Sequence, residues 1–456
     1  MPLITDLPCE LVASVLGSLD DLRSLSLALL ASRHIYASFK AVPGIEASVV
    51  RRQVTPGLVP YAIAVLEASR LPRQRYLITG VVSADRKATI RLLDELNDRH
   101  TELLARLSSM PRSDLRKISD MHRLIHTLSI DFANTAWSRI CGGNSAEAVT
   151  GVVLSADEYH RYCRSFYRAE LFYSLFRFTG GNADIVNPSE STMDYKFFAP
   201  YPPWENEQLC CVNEFLESKF SKGVLSFHFL GYGNCAKLAV ATFEVLSHDV
   251  YLGHLSINYL SRRGDNWWTQ LWLAQGLEFF KRVTEEVLYD EQKALLISAF
   301  GRGRINLAQT LQCFYRTLGP TVENTKLKNL DRVNLQPLLS YHLTANDTDN
   351  GPFQAWHDAH SYADGGQWLQ IMAERNVWLW DRAYVFWDLA HNWPVGISSP
   401  FKLQPGVEVA QSDREPTGQQ WDEMRQSFHE RGDIYDNGGQ GYWTKGDLSR
   451  VVWSTG

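Results

Sequence analysis

SADEYHRYCRSFYRAELFYSLFRF, residues 155–178, sets the helical character of this chain. Ser155 and Glu158 stand at the spacing of a capping box, in which a serine hydroxyl and a glutamate carboxylate each satisfy a backbone N–H at a helix start. From Tyr159 to Phe178 the apolar residues return at helical intervals, so that Tyr159, Cys163, Phe166, Tyr167, Phe172, Leu175 and Phe176 line a face. That many aromatic side chains belong in a core. Arg168 and Glu170 are embedded among them, and a core helix that carries charge must find partners for it.

The same periodicity recurs on both sides. Residues 85–130 read as amphipathic helix, with Arg91, Asp94, Glu95, Asp98 and Arg99 on a solvated face. After a break at Pro200-Tyr201-Pro202-Pro203-Trp204, Glu205-Asn206-Glu207-Gln208 opens another helix whose acidic first turn suits the helix dipole. Helical stretches follow around Trp267–Leu288 and Ala308–Leu318, and Thr344–Pro352 reads as a surface loop. The stretch Trp380–Asp388 reads as a late aromatic helix, on which Asp381 and Asp388 share a face two turns apart. Beyond His391-Asn392-Trp393-Pro394, a sequence rich in Gly, Pro, Ser and charge predicts loops with short helices. No repeat with a period of roughly 20–50 residues is present.

At the N-terminus, Asp6-Leu7-Pro8-Cys9-Glu10 reads as a helix start with Asp6 as cap, followed by Leu11, Val12, Val15, Leu16 and Leu19 at helical spacing. Asp20-Asp21 starts a second helix carrying Leu22, Leu25 and Leu29, and Ile35, Tyr36 and Phe39 continue the apolar face. Helices this short need a surface to dock on. Leu7-Pro8, Glu10-Leu11, Val15-Leu16, Leu19, Asp21-Leu22 and Leu25-Ser26-Leu27 resemble the first two-thirds of an F-box, the helical module that binds the Skp1 subunit of ubiquitin ligases. The likeness stops at Ala31-Ser32-Arg33-His34-Ile35-Tyr36, where F-boxes place a small residue, Cys, a basic residue and Trp. The expected fold is mainly α: an F-box-like helical segment over residues 1–50, a large aromatic-rich helical domain over 51–456, and a loop-rich C-terminus.

Composition narrows the function classes. A chain of 456 residues, 45% hydrophobic and 21% charged, has the balance of a globular protein with a large core. A net charge of -6 supplies no global positive field for nucleic acid or an anionic membrane. Seven cysteines without CxxC spacing point away from a disulfide framework or structural zinc and toward a reducing compartment. The opening residues lack the basic start and apolar run of a signal peptide, and no stretch approaches about twenty apolar residues in a row. The expectation is a cytoplasmic or nuclear protein with no membrane attachment.

Several motifs fall short of a site. His122 and His126 have the histidine spacing of a zinc-protease helix without its glutamate, and His357-Asp358-Ala359-His360 with Asp364 reads as a polar loop or helix end. Gly231-Tyr232-Gly233-Asn234 and Gly301-Arg302-Gly303-Arg304 are isolated turns, and no phosphate-binding loop or nucleophile elbow is present. What remains is charge set among aromatics in three clusters: Tyr167–Tyr173, Pro203–Gln208 and Trp380–Asp388. Two readings stay open. One is a structural ion-pair network, with Arg168 or Arg382 on the acids. The other is an acidic, aromatic-walled pocket suited to a guanidinium, which carboxylates bond bidentately and rings stack upon.

The clusters carry a second resemblance, over most of the chain. Tyr167-Arg168, Glu170-Leu171, Leu175-Phe176, Pro203-Trp204-Glu205, Glu207-Gln208-Leu209, Cys211-Val212 and Tyr384-Val385-Phe386-Trp387-Asp388, behind an F-box-like start, resemble a large group of ascomycete fungal proteins. The enzymatic activity associated with proteins of this appearance is that of fungal arginine-containing cyclodipeptide synthases of secondary metabolism. The resemblance implies joining arginine to a second amino acid from aminoacyl-tRNAs, whose esters are already activated. Such an enzyme needs proximity, a base and a side-chain pocket rather than an ATP loop. The resemblance maps no catalytic residue onto this chain; the acidic-pocket reading of the charged clusters gives the candidate catalytic residues as Asp388, Glu205 and Glu170. The candidate substrate-binding residues are Arg168, Trp204, Glu207, Asp381, Tyr384 and Trp387, with no metal and no cofactor. Asp388 is expected beneath Trp387 and Tyr384, near Arg168, Glu170 or Glu205. The partner is aminoacyl-tRNA, and Arg70, Arg73, Arg75, Arg112, Arg116 and Lys117 would form its basic patch. The alternative, a ubiquitin-ligase adaptor, has Skp1 and a protein target as partners.

Overall fold

The computed structural model describes residues 7–75, 82–141, 151–177, 196–221, 249–250, 267–285, 288–299, 305–308, 310–311, 351–361, 377–391, 393 and 418–454. Four short helices open the chain: α1 (Cys9–Gly17), α2 (Leu22–Ala31), α3 (Arg33–Ala41) and α4 (Ile45–Gln53). Asp21 caps α2 by accepting the Ser24 N–H at 2.7 Å, and Ser32 caps α3 by accepting the His34 N–H at 3.1 Å. Asp6 lies outside the described residues. Val12, Leu16, Leu22, Leu25 and Ile35 are buried in one continuous hydrophobic cluster that runs on to Trp387. The N-terminal helices therefore share their core with the rest of the protein.

α5 (Val59–Ala68) is buried on nearly every side, as an interior helix with apolar residues all round should be. After the antiparallel pair β1 (Arg73–Arg75) and β2 (Val82–Ala84), the stretch read as one helical region divides into α6 (Arg86–Asp98), α7 (His100–Arg106) and α8 (Arg112–Ile140). Met110 is extended because Pro111 follows it, and that ends the helical run before α8.

α9 (Ala156–Phe176) begins with the capping box that its sequence specifies: the Ser155 N–H donates to Glu158 Oε2 at 3.0 Å and the Glu158 N–H to Ser155 Oγ at 3.1 Å. Every residue from Tyr162 to Tyr173 is buried. α9 packs against α5, α8 and α10 (Pro203–Ser221), which starts one residue before Trp204 because Pro203 fits a first helical turn.

Four expectations change in the second half. The Trp267–Leu288 stretch is two helices, α11 (Trp267–Leu273) and α12 (Leu277–Glu285), broken at Gly276 with φ +90°. A side chain there would be strained, and its Cβ would stand 2.8 Å from Glu170 Oε1. After α13 (Tyr289–Ser298), Pro352 sits not in a loop but in the first turn of α14 (Gly351–Ser361); residues 344–350 lie outside the description. The chain is helical at Ala308, Thr310 and Leu311, and 312–318 are likewise outside it.

The late aromatic helix ends early. α15 is Val377–Asp381 only, and Ala383 takes φ +50°. The Tyr384 N–H reaches back to the Leu379 carbonyl at 3.2 Å and the Ala383 N–H to Trp380 at 2.9 Å, the pair of bonds that closes a helix C-terminus around a left-handed residue. Asp381 and Asp388 therefore do not share a helical face. The tail also departs from a succession of short helices: α16 (Gly418–Asp436) runs for 19 residues and packs on the hairpin β3 (Gly439–Gly441) and β4 (Val451–Trp453). Val250, Ile434, Trp443 and Val451 form its separate small core. Among the described residues no helix is long and apolar enough to cross a membrane.

Candidate functional site

Arg161, Arg164 and Arg168 stand three and seven residues apart on α9, and all three are buried. Arg161 Nη1 donates to the Phe386 carbonyl at 2.9 Å and to Asp388 Oδ1 at 2.7 Å. Arg164 Nη2 pairs with Glu205 Oε1 at 3.1 Å. Arg168 donates to the Glu205 carbonyl at 3.0 Å and to Asn206 Oδ1 at 2.8 Å, with its guanidinium 3.5 Å from the Tyr201 ring centre. One stripe of guanidiniums thus clamps the late turn and the first turn of α10 onto α9. Trp380 Nε1 donates to Glu207 at 2.9 Å, and Gln208 Nε2 to the Val385 carbonyl at 2.8 Å. The three charged clusters of the sequence meet here.

Further along α10, Glu214 and Glu217 are buried one turn apart. Glu217 Oε1 accepts from Asn213 Nδ2 at 2.7 Å and from Gln270 Nε2, and Asn213 Oδ1 accepts the Tyr173 hydroxyl at 3.0 Å. Burial first, and the Glu214 carboxylate second, push the Glu217 carboxyl up to about 8.

The start of α9 holds a different arrangement. Glu158 Oε1 accepts the Asp388 N–H at 2.9 Å and His391 Nδ1 at 2.7 Å, while Oε2 accepts the Ser155 N–H. Burial alone would raise this carboxyl, but the His391 and backbone donors outweigh it and hold it below the usual range. The Ser155 hydroxyl donates to Asp388 Oδ2. Trp137, Trp387 and Trp393 surround the His391 ring, with ring centres at 5.4, 4.9 and 4.9 Å.

The candidate residues do not form one constellation. Glu205, Glu207, Tyr384, Trp387 and Arg168 lie along the α9–α10–late-turn junction, and Trp204 faces away toward Phe353 and Trp356 of α14, at 5.2 and 6.1 Å between ring centres. Asp388 is beside Arg161, not Arg168, so its expected partner is corrected by two helical turns. Glu170 accepts the Leu277 N–H at 2.6 Å at the opposite end of α9. Twelve residues of helix, about 18 Å, separate it from the Glu158 that binds the Asp388 backbone. Asp381 pairs with Arg139, and Arg382 stacks on Trp378 rather than meeting the acids.

Sequence reading missed Glu158 as more than a cap, and it missed Arg161, Arg164, Glu214, Glu217 and His391. The three-and-seven spacing of the arginines was the available signal for the first two. His122 and His126 turn out to bond the Tyr167 and Tyr159 hydroxyls at 3.0 and 2.9 Å, and burial pushes His122 down to about 4. The candidate basic patch is partly neutralised: Arg70 bonds Asp114 through both terminal nitrogens and Arg112 pairs with Glu46 at 2.5 Å. Among the described residues no group of three or more His, Cys, Asp or Glu side chains is arranged to hold a metal. Gly231–Asn234, Gly301–Arg304 and Asp364 lie outside them.

Comparison with known proteins finds no matching family model, no matching curated protein and no matching solved structure.

Proposed function

We propose that this protein is a cyclodipeptide synthase that takes arginine from arginyl-tRNA and joins it to a second amino acid. What supports the reading, beside the sequence resemblance, is one observation. Helix α10 buries Glu205, Glu207, Glu214 and Glu217 along its length, with Glu207 against Trp380 and Tyr384. Glu205 pairs with Arg164 and Glu217 keeps its proton, which leaves Glu207, a buried carboxyl beside aromatic rings, as the group whose chemistry suits a guanidinium. In the reaction, the α-amine of one aminoacyl ester attacks the ester carbonyl of the other. An amide forms, the ester C–O bond breaks, and the 3′-oxygen of the tRNA leaves with a proton. A second attack of the same kind closes the ring and releases the second tRNA.

Purified protein given a mixture of charged tRNAs should yield arginine-containing diketopiperazines by mass spectrometry. The yield should fall steeply with added salt, because phosphate contacts release counterions. No diketopiperazine from any charged-tRNA mixture, or product from free arginine and ATP without tRNA, would sink the proposal.

A second reading has its own support. Leu11, Val15, Leu27, Leu30 and Tyr36 are between 45% and 84% exposed on α1–α3, while the opposite sides of these helices fill the core. Exposed apolar side chains on an F-box-like segment suit a Skp1-binding adaptor. Co-purification with Skp1, lost in Leu11→Asp/Val15→Asp, is the expected result for that reading, and no association of the wild-type protein with Skp1 removes it.

A further inference from the structure

We propose that Glu158 and His391 form the proton-accepting centre of an acyl-transfer site, with His391 Nε2 as general base and Glu158 as its positioning residue. The inference rests on the proposed function for the identity of its acyl donor. Its geometry is independent of that reading.

The argument begins with the proton on the imidazole. An ionised carboxylate only accepts, so a 2.7 Å contact between Glu158 Oε1 and His391 Nδ1 requires the hydrogen on Nδ1. Three donors to Glu158, the Ser155 and Asp388 N–H groups and His391 itself, keep that carboxylate ionised despite its complete burial. In the neutral ring Nε2 then carries the lone pair. It has no hydrogen-bond partner among the described residues, and 8% of the His391 side-chain surface is exposed. A carboxylate behind, a fixed tautomer and an Nε2 that meets no partner among the described residues are what a general base needs.

The surroundings favour the charged intermediate as well. When Nε2 takes the proton of an attacking amine, the imidazolium forms against the Glu158 carboxylate, with Trp137, Trp387 and Trp393 packed around the ring. The amine nitrogen bonds the ester carbonyl carbon, the C–O bond breaks, and the imidazolium returns the proton to the departing oxygen. No other reactant is required. Asp388 contributes from the side: Arg161 and Ser155 hold its carboxylate, which fixes the backbone N–H that it presents to Glu158.

The test uses the full chain and two acyl donors: charged tRNA, and the N-acetylcysteamine thioester of arginine, which needs no tRNA. The wild-type protein should accelerate thiol release from the thioester. His391→Asn should reduce that rate by about 100-fold or more, the range for loss of a general base. Glu158→Gln should lower kcat with KM unchanged. Diethyl pyrocarbonate should modify His391 in the native protein and abolish turnover, with hydroxylamine restoring both, which provides the readout on wild-type protein if a variant does not fold. Thioester turnover that depends on His391 without any product from charged tRNA would overturn the tRNA reading and leave the dyad standing. The dyad itself is overturned by any one of three results: no wild-type turnover of either donor, more than about a tenth of the rate remaining in His391→Asn, or an unmodified His391.

Discussion

Glu158 and Glu217 are both buried in the same core, at 0% and 4% exposure, yet their carboxyl groups move in opposite directions. Glu158 faces three hydrogen-bond donors brought by the α9 cap and the late turn, and it is held in the ionised form. Glu217 has two amide donors but also a second carboxylate one turn away, and it holds its proton. Burial raises both carboxyls; at Glu158 the donors together outweigh it, and at Glu217 the Glu214 carboxylate adds to it. The identity of the neighbours sets the sign of the net shift. The difference fits a division of labour: an ionised carboxylate that orients a base, and a neutral carboxyl that can give or take a proton near neutral pH.

The largest effect expected from breaking this comparison is at Glu158. Glu158→Ala leaves the Ser155 and Asp388 N–H groups and His391 Nδ1 without their acceptor in a buried place. A loss of about 3–5 kcal/mol in denaturant unfolding is the scale for removing one side of a buried charged network. The acid side of the stability curve belongs to the same residue. A carboxyl held below its unfolded value adds stability above about pH 4.3, and that stability is lost as pH falls through the folded value. If Glu158→Ala unfolds at the wild-type denaturant concentration, the network contributes nothing and the contrast with Glu217 collapses.

Glu217→Gln should act with the opposite sign. The folded carboxyl keeps its proton up to about pH 8, whereas in the unfolded chain it releases it near pH 4.3. Across that window unfolding releases a proton, so the wild-type protein loses stability as pH rises. Glutamine does not titrate and keeps an acceptor for Asn213 and Gln270. The variant should match the wild type at pH 5 and exceed it at pH 8, by an amount on the order of a few kcal/mol. Melting temperatures at the two pH values measure this, and equal differences at both would mean that Glu217 is not the titrating group.

The two sites also differ in how far they can be read from sequence. Glu214 and Glu217 lie three residues apart on one helix, so once α10 is recognised from Pro203-Trp204-Glu205 their proximity follows from helical geometry. Their burial does not, because it depends on α9, α11 and α15 closing around them. Arg161, Arg164 and Arg168 are similarly local, and their spacing marks a charged stripe within a helix whose aromatic face already predicts a core. The Glu158–His391 pair joins residues 233 apart in sequence. Its only local trace is the Ser155–Glu158 capping box, and a capping glutamate is ordinarily explained by the cap alone. The late turn is illegible in the sequence for a specific reason. Trp378-Leu379-Trp380 and Tyr384–Trp387 keep an apolar character that continues a helix, and nothing in Arg382-Ala383 announces a left-handed stop where glycine is the usual residue.

That stop gives the smallest effect. Ala383 brings Asp388 and His391 back to the start of α9, whereas Glu217 needs no such turn because its own helix places it. An alanine in left-handed conformation carries roughly 1–2 kcal/mol of strain that glycine lacks. Ala383→Gly relieves this but gives the unfolded chain more freedom and removes a buried methyl, together about 1 kcal/mol in the other direction. The net expectation is a gain of about 0.5 kcal/mol, with the Glu158–His391 contact kept, since the turn bonds from Tyr384 and Ala383 use backbone atoms only. Denaturant unfolding together with diethyl pyrocarbonate labelling of His391 checks both parts. A destabilisation beyond about 1 kcal/mol would show that the methyl group packs the turn more strongly than its conformation strains it. The Glu158 end would then be held by core packing, as the Glu217 end is, and the difference in how the two carboxylates are placed would disappear.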